Sequence, residues 1–236
     1  RNTFDYPESD TMTPAARFLT AVARFFISVT CSIDSEEMQR MPDKGPLLVV
    51  FNHINFLDAP VLRLEAMPRD VYALTKKETW DNPIFRILAD NWGGVPLDRE
   101  NPAVSTLREA ERLMKEEKIL YIAPEGTRSS SGILQEANVG IASIAIRTGC
   151  PIVPLAHWGA EHFWGNLKRL KRTRMMIRVG DPIRVKPGIR ASKRTRQAVT
   201  EQIMAELVKL LPDEYHGVYA GIGEPEERLI EPVELP

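Results

Sequence analysis

Leu47-Leu48-Val49-Val50-Phe51-Asn52-His53 places five consecutive apolar residues directly before a polar pair that carries an imidazole. A short apolar run of this kind reads as a strand buried on both faces. Residues 71–74, 119–123 and 152–155 repeat the pattern. Helical spacing fills the intervals. Asn101-Pro102 makes an N-cap and first-turn pair for a helix with Leu107, Ala110, Leu113 and Met114 on one side, and residues 139–148 form an apolar helix closed by Gly149. Strands alternating with helices predict an α/β fold with a mainly parallel sheet flanked by helices.

In such sheets ligands bind beyond the carboxyl ends of the strands. Working outward from each run, the first strand leads into Asn52-His53, the second into Thr75-Lys76-Lys77, the third into Pro124-Glu125-Gly126-Thr127-Arg128, and the fourth into Ala156-His157. The ionisable residues therefore gather at one sheet edge. Residues 175–179 and 183–185, joined by Gly180-Asp181-Pro182, read as a late strand pair, and Ser192 as the cap of a last helix that Pro212 stops.

The N-terminal region is different. Thr13-Pro14 starts a helix with Phe18, Val22, Phe25, Phe26 and Val29 on one side and Arg17 and Arg24 on another. Two readings stand: an amphipathic helix lying in a membrane interface, or a helix packed on the core. Arg24 interrupts the apolar stretch, which is short for a membrane span. The expected organisation is a helical, membrane-docking segment over 1–44, a catalytic α/β domain over 45–212 and a mobile acidic tail over 213–236.

With 236 residues, 43% hydrophobic and 27% charged, the chain is long enough for one sizeable core. Its formal charge of -1 conceals a basic stretch over 168–196 and a tail with five Glu after Gly221. Two cysteines, Cys31 and Cys150, offer no disulfide framework or zinc spacing. His157 and His162 lack a third ligand nearby, so no metal is expected. The basic run Lys168, Arg169, Lys171, Arg172 and Arg174 suits a solvated face or anionic lipid headgroups. Without an accompanying nucleic-acid module, no nucleic-acid partner is expected.

His53 and Asp58 stand five residues apart, about 140° around a regular helix, so a continuous helix keeps them separate. A strand-to-helix turn brings the carboxylate back to one imidazole nitrogen, fixing the tautomer that leaves the other nitrogen free as a base. The bland alternative is a surface histidine beside a helix-capping aspartate.

The segment Asn52-His53-Ile54-Asn55-Phe56-Leu57-Asp58 resembles the first signature of the glycerolipid acyltransferase family, the group that includes 1-acylglycerol-3-phosphate acyltransferase. Gly94-Val95-Pro96-Leu97-Asp98-Arg99 is similar to the second, Pro124-Glu125-Gly126-Thr127-Arg128-Ser129 to the third, and Ile152-Val153-Pro154-Leu155 to the fourth. They occur in family order, and the resemblance covers about residues 45–185. One departure follows the third signature: where the family often has a lysine shortly before a glycine, Gln135, Glu136 and Asn138 lead into Gly140.

The resemblance implies transfer of a fatty acyl group from an acyl thioester, acyl-CoA or an acyl-carrier protein, to the hydroxyl of 1-acylglycerol 3-phosphate, giving phosphatidic acid. No cofactor is implied. His53 would be the general base and Asp58 its orienting carboxylate, as in serine-protease triads. Arg99 and Arg128 would grip the acceptor phosphate through their guanidinium forks, with Lys76 a weaker candidate. Glu125 would bond the glycerol hydroxyl or orient Arg128, Gly126 would give close backbone access, and Thr127 would donate a hydroxyl bond. Glycerol 3-phosphate and other lysophospholipids remain alternative acceptors, and a thioesterase or a catalytically silent membrane-binding module remains an alternative class. Peripheral or monotopic membrane association on the cytoplasmic face is the expected location.

Overall fold

The computed structural model describes residues 12–97 and 102–235. In chain order the elements are α1 (Pro14–Thr30), β1 (Cys31–Asp34), β2 (Leu47–Phe51), α2 (Asp58–Ala66), β3 (Val71–Lys76), α3 (Pro83–Asn91), β4 (Gly94–Leu97), α4 (Pro102–Lys115), β5 (Ile119–Ile122), α5 (Gly140–Thr148), β6 (Ile152–Trp158), α6 (Phe163–Lys168), β7 (Thr173–Val179), β8 (Ile183–Val185), α7 (Lys193–Val208) and β9 (Ile230–Pro232). Short 3-10 turns connect several of them.

The main sheet runs β1-β7-β6-β2-β5-β3-β4. Strands β6, β2, β5, β3 and β4 are mutually parallel, and β7 is antiparallel to β6. β2 lies in the middle, with Leu47 and Val49 entering one apolar core and Leu48 and Val50 the other. Burial on both faces explains why its sequence is continuously apolar rather than alternating. Helices α1, α2, α3 and α6 contribute to the first core, and α4, α5 and α7 to the second.

The helix ends follow local chemistry. The Thr13 side chain accepts from the Ala16 amide, and Ser192 from Thr195, each meeting one of the unpaired amides of a first turn. Gly149 closes α5 at φ 62°, a conformation that strains residues with a Cβ. On α4, Ala110, Leu113 and Met114 are buried as the periodicity requires; its expected cap, Asn101, lies outside the described residues.

Three expectations change. The late strands exist but do not pair with each other: β7 meets β6 at residues 155–158 and β8 meets it at Ile152, so the two lie in succession along one neighbour. The Gly180 amide bonds the Pro154 carbonyl at the jog between them. The N-terminal segment is not wholly helical, since β1 joins the sheet beside β7.

The expected mobile acidic tail is instead part of the domain. β9 pairs with β8, Leu229 and Ile230 are buried, and Gln202 on α7 accepts from both their amides while donating to the Glu227 carbonyl. Upstream, the Tyr219 hydroxyl accepts from the Ala137 amide. A three-residue strand between Glu and Pro residues carries too little periodicity to be read alone, and its partners lie far away in sequence.

Candidate active site

Because β2, β3, β4, β5 and β6 are parallel, their carboxyl ends share one edge. His53 follows β2 at the centre, the Pro124–Ser129 turn follows β5 on one side, and the end of β6 lies on the other. Lys76 ends β3, two strands from β2 and so roughly 10 Å across the sheet. Leu97 on β4 registers with Lys76, and the chain then enters residues 98–101, outside the described residues and including Arg99.

The chain leaves β2, turns through residues 52–57 and enters α2 at Asp58. That turn brings the expected pair together: His53 Nδ1 and Asp58 Oδ2 are 2.7 Å apart. The same oxygen accepts from the Ile54 amide at 2.7 Å and the Asn55 amide at 3.0 Å. Asp58 is 1% exposed, whereas the His53 side chain keeps 25% of its surface. With Nδ1 committed to the carboxylate, Nε2 is the nitrogen left to exchange a proton with a substrate.

The third signature grips this turn. Glu125 Oε1 accepts from the His53 amide at 2.8 Å, Oε2 accepts from the Gln135 amide at 2.9 Å, and the Ser129 amide donates to the His53 carbonyl at 2.7 Å. Both peptide groups of His53 are thus fixed by the turn after β5. Glu125 is buried, and that desolvation pushes its carboxyl above the usual range despite the two amide donors. Its oxygens are engaged by backbone amides rather than by Arg128, so the role of orienting that arginine is not the one it has here.

Gly126, Thr127 and Arg128 are exposed at the same turn. Gly126 has φ 66° and no atom within 4 Å of where a Cβ would stand, so its backbone faces open space. Asn138, where a lysine often stands in the resembled family, accepts from the Gly140 amide at 2.8 Å at the start of α5.

Three contributors escaped the sequence reading. Ser129 is buried and its hydroxyl donates to the Ile133 carbonyl. Asn52 is buried and clamps the main chain of His157, accepting from its amide at 2.9 Å and donating to its carbonyl at 2.8 Å. His157 is not in a loop after the fourth strand, because β6 runs through to Trp158. It is buried, whereas His162 is exposed beside Glu161, so the two histidines occupy different environments. Cys31 and Cys150 are buried, which pushes both thiols up and keeps them protonated.

Beside the site, Phe56 packs on Trp164 and Phe163 with ring centroids 5.4 and 5.5 Å apart, and Phe163 meets Phe26 of α1 at 6.1 Å. Phe18, Val22, Phe25, Phe26 and Val29 are all exposed along α1, Phe25 by 71%. The core-packed alternative for this face is therefore not what occurs; Ala16, Thr20 and Ile27 supply the buried side. No helix among the described residues is long and apolar enough to cross a membrane.

The chain is similar to known proteins in sequence and in fold. A family model described as Acyltransferase matches residues 32–158. A 1-acyl-sn-glycerol-3-phosphate acyltransferase of Bacillus subtilis is 23% identical over 195 residues, covering 83% of this chain and 96% of the relative. One from Cocos nucifera is 30% identical over 141 residues, 58% of this chain, and the match spans only 46% of that longer protein. The crystal structure of a 1-acyl-sn-glycerophosphate acyltransferase from Thermotoga maritima superposes with a TM-score of 0.62 at 21% identity, covering 83% of this chain and 78% of the other.

Proposed function

Since the chain belongs to the acyltransferase family, we propose that it moves a fatty acyl group from a thioester to the free hydroxyl of 1-acylglycerol 3-phosphate, forming phosphatidic acid. The observation that carries the mechanism is the 2.7 Å contact between His53 Nδ1 and the buried Asp58 carboxylate, with the imidazole partly open to solvent. The substrate class is supported by the names of the relatives.

In this mechanism His53 Nε2 takes the hydroxyl proton as the acceptor oxygen attacks the thioester carbonyl. Asp58 stabilises the resulting imidazolium and keeps Nδ1 protonated. The tetrahedral intermediate collapses to the ester and expels the thiolate, which recovers the proton from His53. Attack is direct, with no acyl-enzyme, consistent with two buried, protonated cysteines. Acyl-CoA and an acyl-carrier protein both fit as donor. Arg128, exposed at the turn that fixes His53, is the proposed phosphate ligand, and Lys76 and Arg99 are further candidates.

The same reading puts the enzyme on a membrane surface as a peripheral or monotopic protein facing the cytoplasm. The exposed apolar side of α1 is continuous through ring contacts with Phe56, which lies within the catalytic turn. After α6, Leu170 is 95% exposed among exposed Lys168, Arg169, Lys171 and Arg172. Arg172 ties this loop to α1 by donating to the Ser28 carbonyl at 2.9 Å. Apolar tips among cations suit an anionic bilayer, which attracts each basic residue near its surface by about 1 kcal/mol.

The decisive assay supplies purified protein with a labelled acyl thioester and three acceptors: 1-acylglycerol 3-phosphate, glycerol 3-phosphate and unphosphorylated 1-acylglycerol. The expected result is phosphatidic acid from the first at the highest rate. Free fatty acid without acylated lipid would instead make the protein a thioesterase.

A further inference from the structure

The catalytic turn engages only half of its carboxylate. Oδ2 of Asp58 takes three donors, while Oδ1 is sealed from solvent without a hydrogen-bond partner among the described residues. His157 Nε2 lies 3.9 Å from Oδ1, and both ring nitrogens of His157 are themselves buried with no hydrogen-bond partner among the described residues. One group can donate and the other only accept. Leaving either unpaired in the interior is costly, and their separation exceeds a direct hydrogen bond by about 1 Å.

His157 is held for such a contact. Asn52 clamps its main chain from the turn after β2, and its pairing opposite Ile177 fixes it from β7. Phe51 packs near both histidines, with its ring centroid 6.1 Å from His53 and 6.3 Å from His157. We propose that His157 is a positioning residue for acyl transfer: as the neutral Nε2–H tautomer it donates to Oδ1 of Asp58, holding that carboxylate aimed at His53. This rests on the reading of His53 as base and Asp58 as its partner.

Three donors already hold Oδ2, and a donor at Oδ1 fixes the plane in which the carboxylate meets His53. The charged or titratable groups acting on His157 are Asp58 at the start of α2, His53 on the turn after β2 and Glu161 after β6. Desolvation outweighs the carboxylates and pushes the His157 imidazole down, so it remains neutral and donates without taking up a proton. No proton passes through it during the reaction.

The test compares His157→Phe, which removes the donor but keeps a ring, with His157→Gln, whose amide can donate. For the phenylalanine variant the expected result is a kcat lowered about tenfold or more, little change in KM for either substrate, and an upward shift of about one unit in the acidic limb of the pH–rate profile. Glutamine should restore most of both. If the two variants lose activity only in proportion to thermal stability and leave the limb in place, His157 is structural and the proposal fails. A measurement on the unaltered protein covers the case of misfolding: the 15N signals of His157 should report a neutral ring protonated on Nε2 at the ordinary histidine pKa of about 6.5, where a free imidazole is half charged. A proton on Nδ1, or an imidazolium, overturns the proposal. His53→Ala separates the two readings. Full turnover in that variant refutes the underlying mechanism, whereas an inactive His53→Ala beside a His157→Phe variant of unchanged rate and pH profile refutes only the role of His157.

Discussion

The two sides of His53 are built on opposite principles. Toward the sheet, Asn52, Asp58, Glu125, Ser129 and His157 are buried and held mainly by named hydrogen bonds. Toward solvent, Phe56, Trp164 and the outer face of α1 expose apolar surface without directional bonds. Proton transfer requires a fixed nitrogen, whereas a lipid acceptor of variable chain conformation requires a tolerant apolar approach. The contrast teaches that directional bonds gather around the reacting nitrogen, while the approach to it is left as apolar surface.

Breaking the buried side should have the largest effect. Asp58→Asn should lower turnover by about 10² or more, read as kcat at saturating acceptor, because the neutral amide cannot stabilise the His53 imidazolium. Glu125→Ala orphans the His53 and Gln135 amides, each at about 1–3 kcal/mol, so urea denaturation should show a loss of about 2 kcal/mol or more. A midpoint like that of the unaltered protein would mean that the carboxylate does not brace the turn.

The exposed side should respond differently. Phe25→Ser should weaken sedimentation with anionic liposomes by about tenfold while the urea midpoint is retained, since the side chain is 71% exposed in the folded protein. A lowered midpoint would mean that α1 packs on the core in solution.

The smallest effect concerns acid. Burial lowers the His157 pKa, so below the ordinary histidine value of about 6.5 the unfolded chain binds a proton that the native chain does not. Stability is therefore fully present above that value and falls as pH drops toward the lowered one, by up to about 1.4 kcal/mol per pH unit. Glu125, shifted upward, acts with the opposite sign between its ordinary and raised values: there stability falls as pH rises. Subtracting the pH profile of His157→Gln isolates the histidine slope, and an absent difference would show that His157 titrates normally.

How much of this was legible depended on sequence distance. The His53–Asp58 contact is local, so one strand-to-helix turn was enough to foresee it. The grip of Glu125 and Ser129 on His53, and of Asn52 on His157, required knowing that β2 lies between β5 and β6, an order that strand periodicity does not encode. The four strand runs were legible because β2 and its neighbours are continuously apolar. β9 was not, because Leu229 and Ile230 are a short apolar pair among Glu and Pro whose partners come from α7 and β8. The outward side of α1 was visible as a pattern, but only packing showed that this face is exposed rather than buried against the core.

The central claim is that His53 is the base, and the direct measurement is single-turnover acyl transfer by His53→Ala beside the unaltered protein, with folding checked by thermal denaturation. The account predicts a rate lower by about 10² to 10⁴ in a folded protein. A folded His53→Ala that transfers the acyl group at the unaltered rate would contradict it.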